Sequence, residues 1–420
     1  MEFFFPDSQD QVNPYFDFET EYLPKHRVRQ RDDHYAHEAL TDVPYEGILV
    51  SKAMVDGTAR GAGKYTLAQS QRLYRLQVEQ FFRLNAGAQR LKSMGDCGAF
   101  TYAEEDEPPY TIGEVVDFYE GVGFDRGVSM DHIVFGYLPD SSDDTPAPPP
   151  DEDWVRRREL TMQLAAEFFA EVARRGTPFE PIGAAHGWDR ASYQRSVDEL
   201  QRIGFTRISL GGMVPLKTRE IRQVVEAVGD VRKPETQIHL LGVTRIEHIH
   251  EFHRHGVTSF DSTSPLRQAF KDETDNYYWR DRNYIALRIP QVGANPSLKR
   301  RIAAGQIDQR TARTHEERCL RALRGFDKGE TTVDECVEEL RAYEQIWDGK
   351  KDRSELYRQT LEDRPWQSCR CGICDSVGIE VVIFRGAERN KRRGFHNLKV
   401  FRETLDKKLL EIDSGSKDAT

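Results

Sequence analysis

The chain has 420 residues, 31% of them charged, and a formal net charge of −10. That length can bury a large core, and no apolar run approaches the roughly 20 residues a membrane span needs, which excludes a helical membrane protein. The amino terminus lacks the basic and long apolar regions of a secretory signal, and six cysteines in so large a chain suit metal binding in a reducing compartment, so the cytoplasm is the expected location.

Short β-rich runs, most of them followed by a longer amphipathic stretch, recur along the chain. Eight candidate strands are Phe3–Pro6, Gly47–Ser51, Arg90–Gly95, Gly127–Asp131, Pro178–Ala184, Thr206–Leu210, Gln237–Leu241 and Val257–Asp261. Helical spacing covers Leu67–Leu84, Ile112–Tyr119, Trp154–Arg175, Arg190–Ile203, Thr218–Val228 and Ile246–His253. This alternation predicts an α/β fold, a closed (β/α)8 TIM barrel over residues 1–295. Residues 8–45 are polar and aromatic without a clear period, and are expected to close or wrap the barrel base. Residues 139–153, acidic and proline-rich, read as an exposed insertion after the fourth strand. Residues 296–363 read as added helices, 364–412 as a zinc-binding subdomain with a basic hairpin or helix, and 413–420 as a disordered tail.

Cys369, Cys371 and Cys374 form a Cys-x-Cys-x2-Cys run answered by His396. Three thiolates and one imidazole suit a tetrahedral structural Zn2+ with no position left open for a substrate. The acidic net charge alone argues against a nucleic-acid partner, but its distribution does not. Arg385, Arg389, Lys391, Arg392, Arg393, Lys399 and Arg402 stand against Glu388 alone in one run. A second run begins at Lys299 and continues through Arg324. Each could be a solvated face; together they favour a phosphate-binding surface.

Strand carboxyl ends and the loops after them build the active site of such a barrel, and Asp96, Asp131 and Asp261 all fall there. A lone strand-end aspartate is more often a helix cap or turn former. Three converging on one mouth point instead to glycosyl chemistry, in which one carboxylate attacks the anomeric carbon and another moves protons. Gly95, Gly98, Gly211, Gly212 and Gly242 sit at or near strand ends, where a missing Cβ admits a planar ligand. Phe100 is spaced to stack on a base, although a core role fits it equally.

The order Gly-Asp96-Cys97-Gly-Ala-Phe100, Met-Asp131, Gly-Ala-Ala-His186-Gly, Leu-Gly211-Gly212-Met, Leu-Leu241-Gly-Val and Phe-Asp261-Ser, followed by the Cys3His set, resembles the tRNA-guanine transglycosylases. The resemblance implies a (β/α)8 barrel with a zinc subdomain that exchanges guanine for a 7-deazaguanine base. It implies Asp261 as nucleophile, Asp96 as general acid/base, Asp131 as reader of the guanine-like edge, Gly211 and Gly212 as backbone groups facing the base carbonyl, and Phe100 and Leu241 as a sandwich around the ring. The zinc ligands carry over one for one.

Departures from that pattern are the Asp96-Cys97-Gly-Ala-Phe100-Thr run, His186 where a glutamine is expected, and the segment after Leu266-Arg267. They resemble the DNA-directed branch of the superfamily, which implies DNA as partner, with tRNA the alternative, and 7-cyano-7-deazaguanine as incoming base. Cys97 could be a reactive thiol or a buried filler, and His186 a base contact or an internal hydrogen-bond partner. Arg267, Arg389, Lys391, Arg392 and Arg393 are the expected nucleic-acid contacts. Because the target base must leave the stack, the substrate is either single-stranded or opened by a partner such as an ATPase. A rival of another class is a noncatalytic zinc-containing nucleic-acid-binding protein on a decayed barrel.

Overall fold

The computed structural model describes residues 1–58, 61–85, 90–138 and 148–415. Eight parallel strands close into a barrel: β1 (Glu2–Pro6), β2 (Gly47–Ser51), β3 (Lys92–Asp96), β4 (Arg126–Val128), β5 (Glu180–Ala185), β6 (Arg207–Leu210), β7 (Gln237–Leu240) and β8 (Val257–Asp261). Closure comes from β1, which pairs with β2 on one side and with β8 on the other, setting Phe4 beside Asp261. Helices Leu67–Phe81, Ile112–Val122, Glu152–Arg175, Arg190–Ile203, Thr218–Val231 and Ile249–Arg254 alternate with the strands, as the periodicity predicts.

Local chemistry starts and stops these helices. Thr66 and Thr111 form capping boxes with Gln69 and Glu114, and the Asp189 carboxylate accepts from the Ser192 N–H at 2.6 Å. Gly123 ends the second of them in the left-handed region at φ 78°. The barrel interior is filled by Phe4, Leu49, Met94, Val128, Ile182 and Ala184, with half-buried Leu241 packed against them. Between β3 and β4 the Tyr119 ring lies so close that a Cβ on Gly95 or Gly127 would approach it to 2.6 or 2.5 Å. The Tyr119 hydroxyl donates to the Val128 carbonyl at 2.7 Å. These glycines let an aromatic ring pack flat against the strand that carries Asp96.

The chain divides into two compact units, one comprising Met1–Ser8, Tyr45–Thr263 and Asp406–Thr420, the other Gln9–Pro44 and Ser264–Leu405. Residues 9–44 cluster with the second unit, and the barrel unit gives way to the second at Ser264, ahead of the expected boundary at 295. The added helices are Pro296–Ala303, Gln309–Asp327, Val333–Trp347 and Ser354–Asp363. Of the expected proline-rich insertion, residues 139–147 lie outside the described residues, as do 416–420 of the expected tail. Among the described residues no helix is long and apolar enough to cross a membrane.

Candidate active site and Cys3His cluster

Asp261 ends β8, and Asp96 ends β3. Asp131, the expected end of the fourth strand, lies three residues past β4, which stops at Val128. All three belong to the barrel unit, and the charges of Asp261 and Asp131 both act on Asp96. The structure therefore gathers the three sequence-predicted carboxylates into one electrostatic site.

Asp261 is nearly buried, at 6% exposure. Its Oδ1 accepts from the Gly242 N–H at 2.9 Å and lies 3.2 Å from His239 Nε2. His239 Nδ1 is in turn 2.8 Å from the Ser259 hydroxyl, its register partner across β7 and β8. Both contacts fall on one oxygen, which fixes the carboxylate and leaves Oδ2 to act. Gly242 has φ 72°, and a Cβ there would meet Val214 Cγ2 at 2.6 Å, so the amide that orients Asp261 requires glycine.

Asp96 is held differently. Burial, reinforced by the charges of Asp261 and Asp131, pushes its carboxyl up to about 7 against the opposing hydrogen bonds of Ser51 and the Gly98 N–H. Ser51 is its register partner on β2. Asp96 Oδ1 is buried and has no hydrogen-bond partner among the described residues. A buried carboxylate oxygen without a donor is costly, so this oxygen is suited to carry a proton.

Asp131 is clamped from two sides: Cys97 Sγ donates to Oδ1 at 3.0 Å, and His186 Nε2 lies 2.6 Å from Oδ2. Burial, with the charges of Asp131 and Asp96, pushes the Cys97 thiol well up, which keeps it protonated as a donor. The Tyr102 hydroxyl is 2.9 Å from Cys97 Sγ and 3.1 Å from the Asp131 carbonyl oxygen. His186 is wholly buried, and its Nδ1 is enclosed without a partner among the described residues. It reaches the site through Asp131, not by touching open space.

A Cβ on Gly211 would come within 2.4 Å of the His186 ring. Gly211 donates its N–H to the Ala185 carbonyl at 2.9 Å, and its carbonyl accepts from the Tyr193 hydroxyl at 2.8 Å. Both of these Gly211 backbone groups are thus hydrogen-bonded within the barrel unit, while its neighbour Gly212 stands in the left-handed region at φ 71°. Phe100 is 59% exposed and its ring centroid lies 5.6 Å from that of exposed Phe135. Sequence reasoning missed Ser51, His239, Tyr102 and Phe135. Only a polar residue within an otherwise apolar strand run, as with His239 in Gln-Ile-His-Leu, marked any of them.

In the second unit, the ligand atoms of Cys369, Cys371, Cys374 and His396 lie within 4.8 Å of one another, forming a buried cluster that could hold a metal ion. The three sulfurs are 3.4, 3.6 and 3.4 Å from His396 Nδ1. Tetrahedral bonds of zinc length to sulfur and nitrogen imply a separation of about 3.6 Å, so the set fits. His396 Nε2 is 2.8 Å from the Tyr278 carbonyl, which fixes the tautomer that leaves Nδ1 free to ligate. The Tyr277 ring stacks on His396 at 4.0 Å between centroids.

The basic run beside this cluster is not an exposed face. It lies on the Gly386–Gly415 helix, where Arg389, Arg392 and Arg393 are at most 4% exposed. Arg389 bonds Glu380 at 2.6 Å and the Phe18 carbonyl at 2.9 Å, Lys391 the Gln9 carbonyl at 3.0 Å, and Arg392 the Asn13 carbonyl at 2.6 Å. Arg393 donates to the carbonyls of Ala269, Val381 and Ile383. These side chains tie residues 9–44 and the helix together within the second unit, so their expected role as nucleic-acid contacts is corrected. Arg267, on the Ser264–Lys271 helix, is exposed. Arg393→Ala would strand three buried carbonyls and should lower the unfolding free energy by about 3 kcal/mol. Urea denaturation reads this directly, and an unchanged midpoint would show that these bonds add no net stability.

No family model matches the chain. It is 47% identical over 409 residues to a DNA-guanine transglycosylase of Salmonella montevideo, covering 96% of both chains. It is also 28% identical over 124 residues to a queuine tRNA-ribosyltransferase of Azotobacter vinelandii, 29% of this chain and 33% of that protein. A Pseudomonas aeruginosa protein of the same description is 29% identical over 123 residues, with the same coverage. The first likeness runs nearly end to end, and the barrel with its three carboxylates accords with it. This chain belongs to the guanine transglycosylase superfamily, in the family of the DNA-guanine transglycosylases.

Proposed function

We propose that this guanine transglycosylase exchanges guanine in DNA for 7-cyano-7-deazaguanine through a covalent ester on Asp261. The observation that carries the reading is the unequal pair of carboxyls: Asp96 is pushed up to about 7 while Asp261 is oriented by the Gly242 N–H and His239. One is suited to hold and release a proton, the other to attack.

In the first step the target nucleoside leaves the stack, since a carboxylate cannot reach C1′ with attack geometry inside a duplex. Asp261 Oδ2 bonds to C1′ as the C1′–N9 bond breaks, and Asp96 supplies the proton that guanine takes as it leaves. In the second step Asp96 accepts the N9 proton of the deazaguanine, N9 bonds to C1′, and the ester bond breaks to return the Asp261 carboxylate. Two displacements retain the configuration at C1′. Asp131, clamped by Cys97 and His186, reads the N–H groups of the guanine-like edge. Phe100 and Leu241 flank the ring, the Gly212 N–H faces the base carbonyl, and Arg267 meets a phosphate. Cys369, Cys371, Cys374 and His396 would hold a zinc ion, which pins the local fold and, with four protein ligands, takes no part in base exchange. A duplex substrate would need a partner, such as an ATPase, to open it.

Base exchange on tRNA is the second reading, favoured by the partial likeness to the queuine tRNA-ribosyltransferases. A noncatalytic binding protein on a decayed barrel is disfavoured by the retention of Asp96, Asp131 and Asp261 in one site, where Asp96 Oδ1 is buried without a partner among the described residues. Incubating the protein with labelled 7-cyano-7-deazaguanine and single-stranded DNA, duplex DNA or tRNA tests the proposal. Label is expected in DNA; label in tRNA alone would overturn the DNA assignment.

A further inference from the structure

The correction of the Arg389–Arg393 run leaves open which cations of the second unit meet a polynucleotide. Between Pro296 and Arg321 the sequence holds seven Lys or Arg and three Asp or Glu. Two of the acids are already engaged. Asp308 caps the Gln309–Asp327 helix, accepting from the Thr311 N–H at 2.7 Å and the Thr311 hydroxyl at 2.6 Å. Glu316 is buried, accepts from the Val292 N–H at 3.2 Å and pairs with Arg385. The exposed acids on this stretch are therefore Glu317 and the cap Asp308.

The cations divide the other way. Lys299, Arg300, Arg310, Arg313, Arg318 and Arg321 are all exposed and form no ion pair among the described residues. On the Gln309–Asp327 helix, Ala312, Cys319, Leu323 and Phe326 turn inward. At 100° per residue the four exposed arginines of this helix, Arg310, Arg313, Arg318 and Arg321, fall within an arc of about 140° on the opposite side, which Glu317 shares, spread over about 16 Å of axis. An exposed charge run is ordinarily a solvated face that mixes both signs. This one sets six exposed cations against the exposed Asp308 and Glu317, with Glu316 withdrawn into a buried pair, so it keeps an excess of positive charge in a chain of net charge −10.

We propose that the exposed face of the Pro296–Ala303 and Gln309–Asp327 helices is a track for the phosphodiester backbone of the nucleic-acid substrate. The occupant follows from charge complementarity: successive phosphates along one strand match a line of point charges. The stretch contains no Phe, Tyr or Trp, so the track offers no stacking platform. It binds without regard to base sequence, and its contribution is steeply salt-dependent. The inference rests on the nucleic-acid reading of the proposed function and goes beyond it by naming the surface.

The test compares the full chain with two quadruple variants, Arg310→Glu/Arg313→Glu/Arg318→Glu/Arg321→Glu and the same four positions changed to Lys. Binding of a labelled 30-nucleotide single strand, as DNA and as RNA, is measured across a salt series. The Glu variant is expected to lose at least tenfold in affinity at low salt, with a slope of log K on log salt shallower by about 0.7 per lost contact. The Lys variant should keep both affinity and slope, which separates charge from fold. Unchanged affinity and slope in the Glu variant, or equal losses in both variants, would overturn the proposal. Adduct formation at Asp261 is scored in parallel. Adducts with an unaffected slope sink the track alone, whereas a charge-dependent slope without any adduct sinks the covalent mechanism and leaves the track standing.

Discussion

Asp261→Asn will yield a folded protein that forms no denaturant-stable adduct with DNA and exchanges bases at least about 10⁴-fold more slowly than the parent. The substitution suits this question because the amide oxygen can still accept from the Gly242 N–H, as Oδ1 does at 2.9 Å. Orientation is kept, and only the anionic oxygen proposed to bond to C1′ is lost. The adduct is read by trapping labelled oligonucleotide with enzyme in denaturing gels, and circular dichroism confirms folding. The outcome separates two readings of the same side chain. If Asp261 only steadied positive charge on the sugar, the parent would show no adduct at all. If another group were the nucleophile, the adduct would survive in Asp261→Asn, and the assignment of Asp261 would be abandoned.

Much of the barrel was legible because its signals are local. A strand buried on both faces reads as a short apolar run, and Val257–Asp261 or Gly47–Ser51 is bounded by the same residues in the structure as in the sequence reading. The Cys3His set was legible for a similar reason: few roles other than metal binding need three thiols and an imidazole at that spacing. The Arg389–Arg393 run was misread because an arginine has the same sequence signature whether it faces solvent or a buried carbonyl. Its partners, Phe18, Gln9 and Asn13, lie more than 360 residues upstream in a segment without periodicity. The clamp on Asp131 was hidden likewise, since Cys97 and His186 come from different strand ends and meet only when the barrel closes. Ser51 beside Asp96 is a consequence of register, which no single strand reveals.

The same closure makes Asp96 a liability to the fold, and Asp96→Asn is expected to stabilise the protein while disabling it. The folded carboxyl keeps its proton up to about 7, whereas in the unfolded chain it releases the proton near its ordinary value of 3.8. Between those two values the native state binds one more proton than the unfolded state, so the unfolding free energy falls as pH rises, and the penalty is complete above pH 7. Asparagine is neutral throughout, its oxygen can accept from Gly98 and Ser51, and its amide supplies a donor. The variant should therefore gain on the order of 2–4 kcal/mol over the parent at pH 8, with the gain shrinking toward zero below about pH 4. Its exchange rate should fall by about 10²- to 10⁴-fold, because neither the proton for departing guanine nor the base for the incoming N9–H remains. The parent's rate should in turn change around pH 7, and this dependence should vanish in the variant. Denaturation curves at pH 4 and pH 8 decide the matter. A variant no more stable than its parent at pH 8 would mean that Asp96 is a satisfied anion in the folded protein, and the general acid/base role would have to move to another group.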